Sequence, residues 1–406
     1  MHSDSNRNKF LTAKRPVFME KNMLKILMIC NTDGALYVFR KPLIERLIQK
    51  KQLVSSITSR SQYIDKLSDL GVKPIVLEFV RHSASIFTNI RIIFQLKRLI
   101  ATEMPDIVHS FTHKPAIYGT ITAKLSGVKK IFVTITGLGT LFVYDDLRTK
   151  ALRFLLLFQY KIALKFATKV FFQNADDMDY FVKLKIINED KAILTNGSGI
   201  DLKEFDLPDE ARRQKNRMMI SDEVGEDLSN KKIVLFPARA LKEKGFFEFY
   251  DAAKIISASS GEFLFIHLGL IDRDSKHEIS GHNIHRFAHD CGVHYLGFKK
   301  NIMDYIIGSD AVVLPSYREG VPRSLIEALA FGKFIVTTDV PGCKETVIDG
   351  WNGFLCSPAD KHSLATKIMA LDEDILKKSR LRSRGLCETK FNAERLIKAT
   401  LEHYFS

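Results

Sequence analysis

No stretch of the 406 residues reaches the ~18 consecutive apolar positions that signal a membrane span. The opening segment MHSDSNRNKFLTAKRPVFMEKN carries basic residues without an apolar centre, which excludes a secretory signal; residues 1–22 read as a poorly ordered extension, with Met23 an alternative start. Cysteine is scarce. Cys30, Cys291, Cys343, Cys356 and Cys387 are scattered, odd in number and without ligand-like spacing, as suits a reducing cytoplasm. Low-complexity tracts and short repeats are absent. The second half also lacks any positive excess: residues 201–406 hold 30 Lys and Arg against 31 Asp and Glu, whereas residues 1–200 hold 31 against 16. The net charge of +14 therefore belongs to the first half. Such one-sided charge points to a polyanionic partner for that half, an anionic membrane surface or nucleic acid. No recognised nucleic-acid-binding module accompanies it, so nucleic acid is not expected.

What is present is a chain too long for one ordinary core. LKILMIC (24–30) is a continuous apolar run of the kind a parallel strand buried on both faces requires. LVSSITS (53–59), PIVLEF (74–79), DIVHSF (106–111), KIFVTITG (130–137) and KVFFQN (169–174) follow, separated by helical patterns. After a polar stretch (201–230) the alternation restarts with KIVLFPAR (232–239), FLFIHLG (263–269), VHYLGF (293–298), AVVLP (311–315) and FIVTTD (334–339). Strands alternating with helices predict an α/β protein of two Rossmann-like, doubly wound domains, 23–200 and 201–392, facing across a cleft. The amphipathic segment 393–406 is expected to return to the first domain. Ligands of such sheets bind just beyond the carboxyl ends of strands.

One such place reads SYREGVPRSLIEALAFGK (316–333). Pro322 suits a first helical turn and Gly332 a helix end. Glu327 is then a carboxylate inside an apolar helix, and Glu319 lies in the loop before it. Carboxylates are seldom buried without partners. A helix start favours phosphate, so Glu327 suits the vicinal hydroxyls of a ribose and Glu319 those of a sugar; two unrelated glutamates, one reaching for water, is the plainer alternative. Arg239, ending a strand, and Lys244, five residues on, can converge on one anion. His113, beyond strand DIVHSF, sits where an imidazole contacts a sugar or orients a hydroxyl, while His109 inside that strand reads as a core residue. GLGTLF (137–142) lacks the third glycine of a dinucleotide fingerprint. His282, His285, His289 and His294 fit no standard zinc set, and a polar surface helix accounts for them. The segments 85–100 and 147–169 join long apolar sides to cations, among them Arg148, Arg153, Lys161, Lys165 and Lys169, which fits shallow membrane docking.

On the paired motifs Glu319-Gly320-Val321-Pro322 through Glu327-Ala328, and Arg239 with Lys244, the chain resembles the family 4 retaining glycosyltransferases of the GT-B fold over residues 24 to 400. The resemblance implies a donor diphosphate held by Arg239 and Lys244, a ribose held by Glu327, and a transferring sugar held by Glu319. It implies a donor-side role for Gly34, where the family often has paired glycines, and for Gly320, Val321 and Pro322. It also implies retention of configuration, no cofactor, no metal, and His113 near the reacting centre. In detail it is similar to bacterial N-acetylhexosaminyltransferases acting on undecaprenyl-diphosphate-linked saccharides. A UDP-linked nucleotide-sugar donor and a lipid-linked acceptor are then the expected partners, met at the cytoplasmic membrane face. A nucleotide-sugar epimerase of similar fold, or a catalytically dead binding protein, are the alternatives.

Overall fold

The computed structural model describes residues 23–79, 86–271 and 281–406; the extension 1–22 lies outside them. The first sheet has seven strands: β1 (Lys25–Thr32), β2 (Leu53–Ser59), β3 (Lys73–Val76), β4 (Ile107–Phe111), β5 (Lys130–Ile135), β6 (Lys169–Phe172) and β7 (Ala192–Leu194). Their spatial order is β3-β2-β1-β4-β5-β6-β7. The second has six: β8 (Lys232–Pro237), β9 (Phe263–Leu268), β10 (Val293–Gly297), β11 (Ala311–Leu314), β12 (Phe334–Thr338) and β13 (Gly353–Cys356), ordered β10-β9-β8-β11-β12-β13. All the pairings between them are parallel. The apolar runs became the central strands because helices cover both sheet faces; Ile26 to Ile29 and Ile233 to Phe236 have no exposure at all.

Strand order reverses between β1 and β4, and again between β8 and β11. At such a point the flanking crossovers leave to opposite faces and open a crevice at the carboxyl ends. The two crevices face each other.

The chain passes between domains twice, and the two passages are hydrogen-bonded to one another. Ile200 N donates to Phe391 O (3.0 Å) and Ala393 N to Ile200 O (2.9 Å). Asn392 then caps the helix Ala393–Phe405 by accepting from Glu394 N at 3.0 Å. That helix lies on the first sheet, where Ala393, Ile397 and Tyr404 share a core with Ile26, Met28, Phe111, Phe132 and Phe171. His109 is a satisfied core residue: Nδ1 is 2.6 Å from the Tyr404 hydroxyl and Nε2 2.7 Å from that of Thr134.

The domains touch through bare backbone. Gly137 has φ +121, and a Cβ there would stand 2.9 Å from Gly320 N; a Cβ on Gly320 would strike the Thr136 carbonyl and come within 2.6 Å of Gln173 Oε1. Asn174 Nδ2 donates across the cleft to Gly320 O (2.7 Å), and ion pairs Arg318–Asp177 and Lys344–Asp176 flank it. Thus GLGTLF does its work as a contact surface for the other domain.

Candidate active site

The second domain supplies one wall. β8 ends at Pro237; Ala238 and Arg239 come just beyond it, and a short turn, Lys242–Lys244, follows. Gly245, at φ +76, ends that turn against Pro315; any Cβ there would strike the Pro315 carbonyl. This close approach brings Lys244 beside the loop after β11. Lys244 Nζ and Ser316 Oγ (2.8 Å) both donate to Glu319 Oε1. The motif's two ends are thereby joined: the cation from one loop and the carboxylate from the next form a single polar unit. Gly320, Val321 and Pro322 continue the wall, and the helix Arg323–Ala330 starts behind them. Pro322 is that helix's N-cap, one residue outside the helical turn expected for it.

The first domain supplies the other wall through Cys30 in β1, Ala35, Phe39 and Arg40 in the helix after it, Phe111 at the end of β4, and Thr112 just beyond. Thr112 holds φ +68, a conformation a β-branched residue rarely adopts, at the lip of the cavity. Between the walls lies a cavity of about 360 Å³ into which Arg239, Lys244 and Glu319 all open.

Three expected site residues stand outside its lining. Glu327 Oε1 accepts from Arg323 Nε at 2.8 Å, and burial raises its pKa against the opposing pull of that guanidinium. The carboxylate in the apolar helix is therefore partnered one turn back. Arg323 in turn donates through Nη1 to Val38 O of the first domain (2.8 Å) and lines the cavity itself. Sequence reasoning passed over Arg323, although its i, i+4 spacing from Glu327 was visible. Gly34 heads the helix Asp33–Gln49, its N–H bonded to Asp33 Oδ1 at 2.6 Å. His113 sits behind the wall with Nδ1 2.7 Å from the Tyr160 hydroxyl; burial lowers its pKa to about 4, so the ring is neutral. Nε2 faces Gly139, whose added Cβ would lie 3.4 Å away.

Among the described residues no group of three or more His, Cys, Asp or Glu could hold a metal. The His282 side chain lies outside them. The others are dispersed over the helix Gly281–Asp290 and β10: His285 packs edge-on to Tyr295, His289 is 3.5 Å from Asp290, and His294 is 2.9 Å from Glu226.

The helix Leu147–Ala163, capped by Asp146, turns a broad apolar side to solvent: Leu147 is 87% exposed, Phe154 73% and Phe158 53%. Arg148, Lys161 and Lys165 are exposed beside it. Two cations assigned to this face belong elsewhere. Arg153 folds back, donating to Leu141 O (2.8 Å) and to Tyr144 O, with its guanidinium over Phe142. Lys169 opens β6 and donates to Asp190 O at 2.5 Å. Both side chains found carbonyls that a charge count cannot foresee. Of the segment 85–100, residue 85 lies outside the described residues, and the helix Ile86–Glu103 exposes Ile90 and Phe94 beside Arg91, Lys97 and Arg98. Among the described residues no helix is long and apolar enough to cross a membrane.

Residues 25–174 match the family model "Glycosyl transferase 4-like", and residues 221–385 match "Glycosyl transferases group 1". A Campylobacter jejuni protein, N,N'-diacetylbacillosaminyl-diphospho-undecaprenol alpha-1,3-N-acetylgalactosaminyltransferase, is 31% identical over 351 residues, 86% of this chain and 90% of that one. The chain belongs to the GT-B glycosyltransferases. The UDP-Gal:alpha-D-GlcNAc-diphosphoundecaprenol alpha-1,3-galactosyltransferase of Escherichia coli is 23% identical over 334 residues, covering 79% of this glycosyltransferase and 80% of its own length. A solved Rickettsia africae glycosyltransferase shares the fold, with a TM-score of 0.74 at 20% identity over 94% of this chain and 98% of that one.

Proposed function

We propose that this glycosyltransferase moves an N-acetylhexosamine-type sugar from a UDP-linked donor to a polyprenyl-diphosphate-linked saccharide during bacterial surface-glycan assembly, with retention of configuration and without a catalytic metal. The observation that carries the reading is Arg239 opening into one interdomain cavity together with the bonded pair Lys244 and Glu319. Negative charge grows on the departing diphosphate as the glycosidic bond breaks, and fixed cations there stabilise the transition state more than the bound donor. Lys244 exchanges its contact with Glu319 for the diphosphate, and Glu319, still held by Ser316, turns its acceptor oxygens to the sugar hydroxyls. Glu327 takes the ribose from behind the helix start. His113, neutral and held by Tyr160, positions groups near the reacting centre as an uncharged donor or acceptor. The printed substrates of the Campylobacter and Escherichia relatives, both diphospho-undecaprenol-linked, support the acceptor class.

A polyprenyl tail stays in the bilayer, so the enzyme must work at a surface. The exposed apolar and cationic face of the helix Leu147–Ala163 supports peripheral docking to anionic lipid on the cytoplasmic side. Nucleotide release should be measured for a panel of UDP- and GDP-sugars, with and without polyprenyl-diphosphate-linked saccharides, in EDTA and with divalent ions. Acceptor-dependent release of UDP that survives EDTA is the expected result. Release independent of any acceptor, or abolished by EDTA and restored by metal, contradicts the reading.

A further inference from the structure

Arg40 is a buried cation without a counter-charge. It lies in the helix Asp33–Gln49, is only 4% exposed, and lines the cleft cavity beside Cys30 and Phe111. Its guanidinium stacks on Phe111, with Cζ 4.8 Å from the ring centroid. Among the described residues no hydrogen bond or ion pair holds it. The groups that act on it electrostatically are Cys30, Tyr404 and Arg323. Burial pushes the Cys30 thiol to about 11 and raises the Tyr404 phenol, so both are uncharged at neutral pH. Arg323 is a like charge. Glu319, in the opposite wall, is already engaged by Lys244 and Ser316. Burying a charge is unfavourable unless something pairs with it, and among the described residues no hydrogen-bond or ion-pair partner does.

Across the cavity begins the helix Arg323–Ala330. Arg323 and Ser324 line the wall there, and among the described residues no backbone carbonyl accepts from the N–H of either. A helix start with open amides and a positive dipole end attracts an anion. We propose that Arg40 and this helix start clamp one phosphoryl group between the two domains, an anion site additional to Arg239 and Lys244. The inference rests on the glycosyl-transfer reading, in which two substrates carry that chemistry: the nucleoside-diphosphate donor and the diphosphate of the lipid-linked acceptor. Because its two halves come from different domains, the site forms only when the cleft is closed, and its ligand holds the cleft shut.

Arg40→Met removes the charge and keeps the length that packs on Phe111. Without ligand, its Tm should equal or exceed that of the wild type, since no hydrogen bond or ion pair among the described residues is lost and the methionine still packs on Phe111 in place of the guanidinium. Calorimetry with UDP and GDP, and saturation with a polyprenyl-diphosphate-linked saccharide, separate the two sources. A loss of about tenfold or more in nucleotide affinity assigns the anion to the donor. A similar rise in acceptor KM at unchanged nucleotide affinity assigns it to the acceptor. Arg40→Lys should recover part of either loss. Unchanged binding of both substrates overturns the proposal, as does a lowered Tm with binding intact, which makes Arg40 a structural residue. Arg239→Ala serves as the parallel control. If it too leaves nucleotide affinity intact, the reading of the whole cleft fails; if Arg40→Met alone is silent, only this inference does.

Discussion

Glu327 and Arg323 show how one side chain's pairing sets another's position. The carboxylate sits in a helix whose other faces are packed into the second domain's core, and Arg323 is the partner that keeps it ionisable there. Removing either member leaves the other poorly satisfied. Glu327→Ala should therefore weaken nucleotide binding about tenfold or more, on the order of 1.4 kcal/mol, while leaving the unfolding midpoint of the first domain unchanged. Arg323→Ala should cost a similar amount, and the double variant little more than either single one, because both act through one unit. Calorimetric titration with UDP checks all three; additive losses would mean that the two residues bind separately. The motif spacing Glu319 to Glu327 was legible because it is a pattern of residue types. Arg323 was not, because an arginine one turn before a glutamate is ordinary on any helix, and only its reach to the Val38 carbonyl reveals its place in the cleft.

At the scale of elements, the central strands were legible because burial on both faces demands unbroken apolar runs. The edge strands β7 and β13 were not: at three and four residues each, they bury too little to leave a pattern. Helix faces were half legible. The periodicity of 147–169 revealed an amphipathic element, yet its boundary fell at Ala163 and its cations divided between solvent and structure. The solvent-facing part makes a quantitative expectation. Each cation near an anionic surface contributes about 1 kcal/mol, so Lys161→Gln with Lys165→Gln should lower partitioning onto anionic liposomes roughly thirtyfold at low salt. Raising salt should release the wild type as well. Sedimentation with anionic and neutral vesicles measures both, and binding indifferent to charge and salt would leave only the exposed phenylalanines as the anchor. Arg153 belongs in a different experiment, since its loss should loosen the loop 140–146 rather than membrane contact.

For the whole molecule, closure depends on glycine meeting backbone. Gly320→Ala puts a methyl group against the Thr136 carbonyl, and neither domain needs that contact to fold. The variant should remain folded, scatter X-rays with a larger radius of gyration, and lose at least about tenfold in kcat; unchanged scattering and turnover would show that the cleft closes elsewhere. Acid acts on the same assembly through its histidines. Burial lowers His113 and His267 to about 4 from their ordinary 6.5. Between those values the unfolded chain binds more protons, so the stability held above pH 6.5 is lost as pH falls toward 4, on the order of 3 kcal/mol for each ring. Denaturant unfolding at pH 7 and pH 4.5 reads the slope, which His267→Gln should reduce. The last helix carries a consequence in time. Synthesis completes the strands of the first sheet, Lys25 to Leu194, about two hundred residues before it reaches Ala393–Phe405, yet that helix covers Phe111, Phe132 and Phe171 and gives His109 its Tyr404 partner. Domains usually finish in the order they leave the ribosome; here the first must wait for the last. On the nascent chain it carries a bare apolar patch, a natural handhold for a chaperone, and the cleft acquires its final shape only once Ala393–Phe405 has emerged.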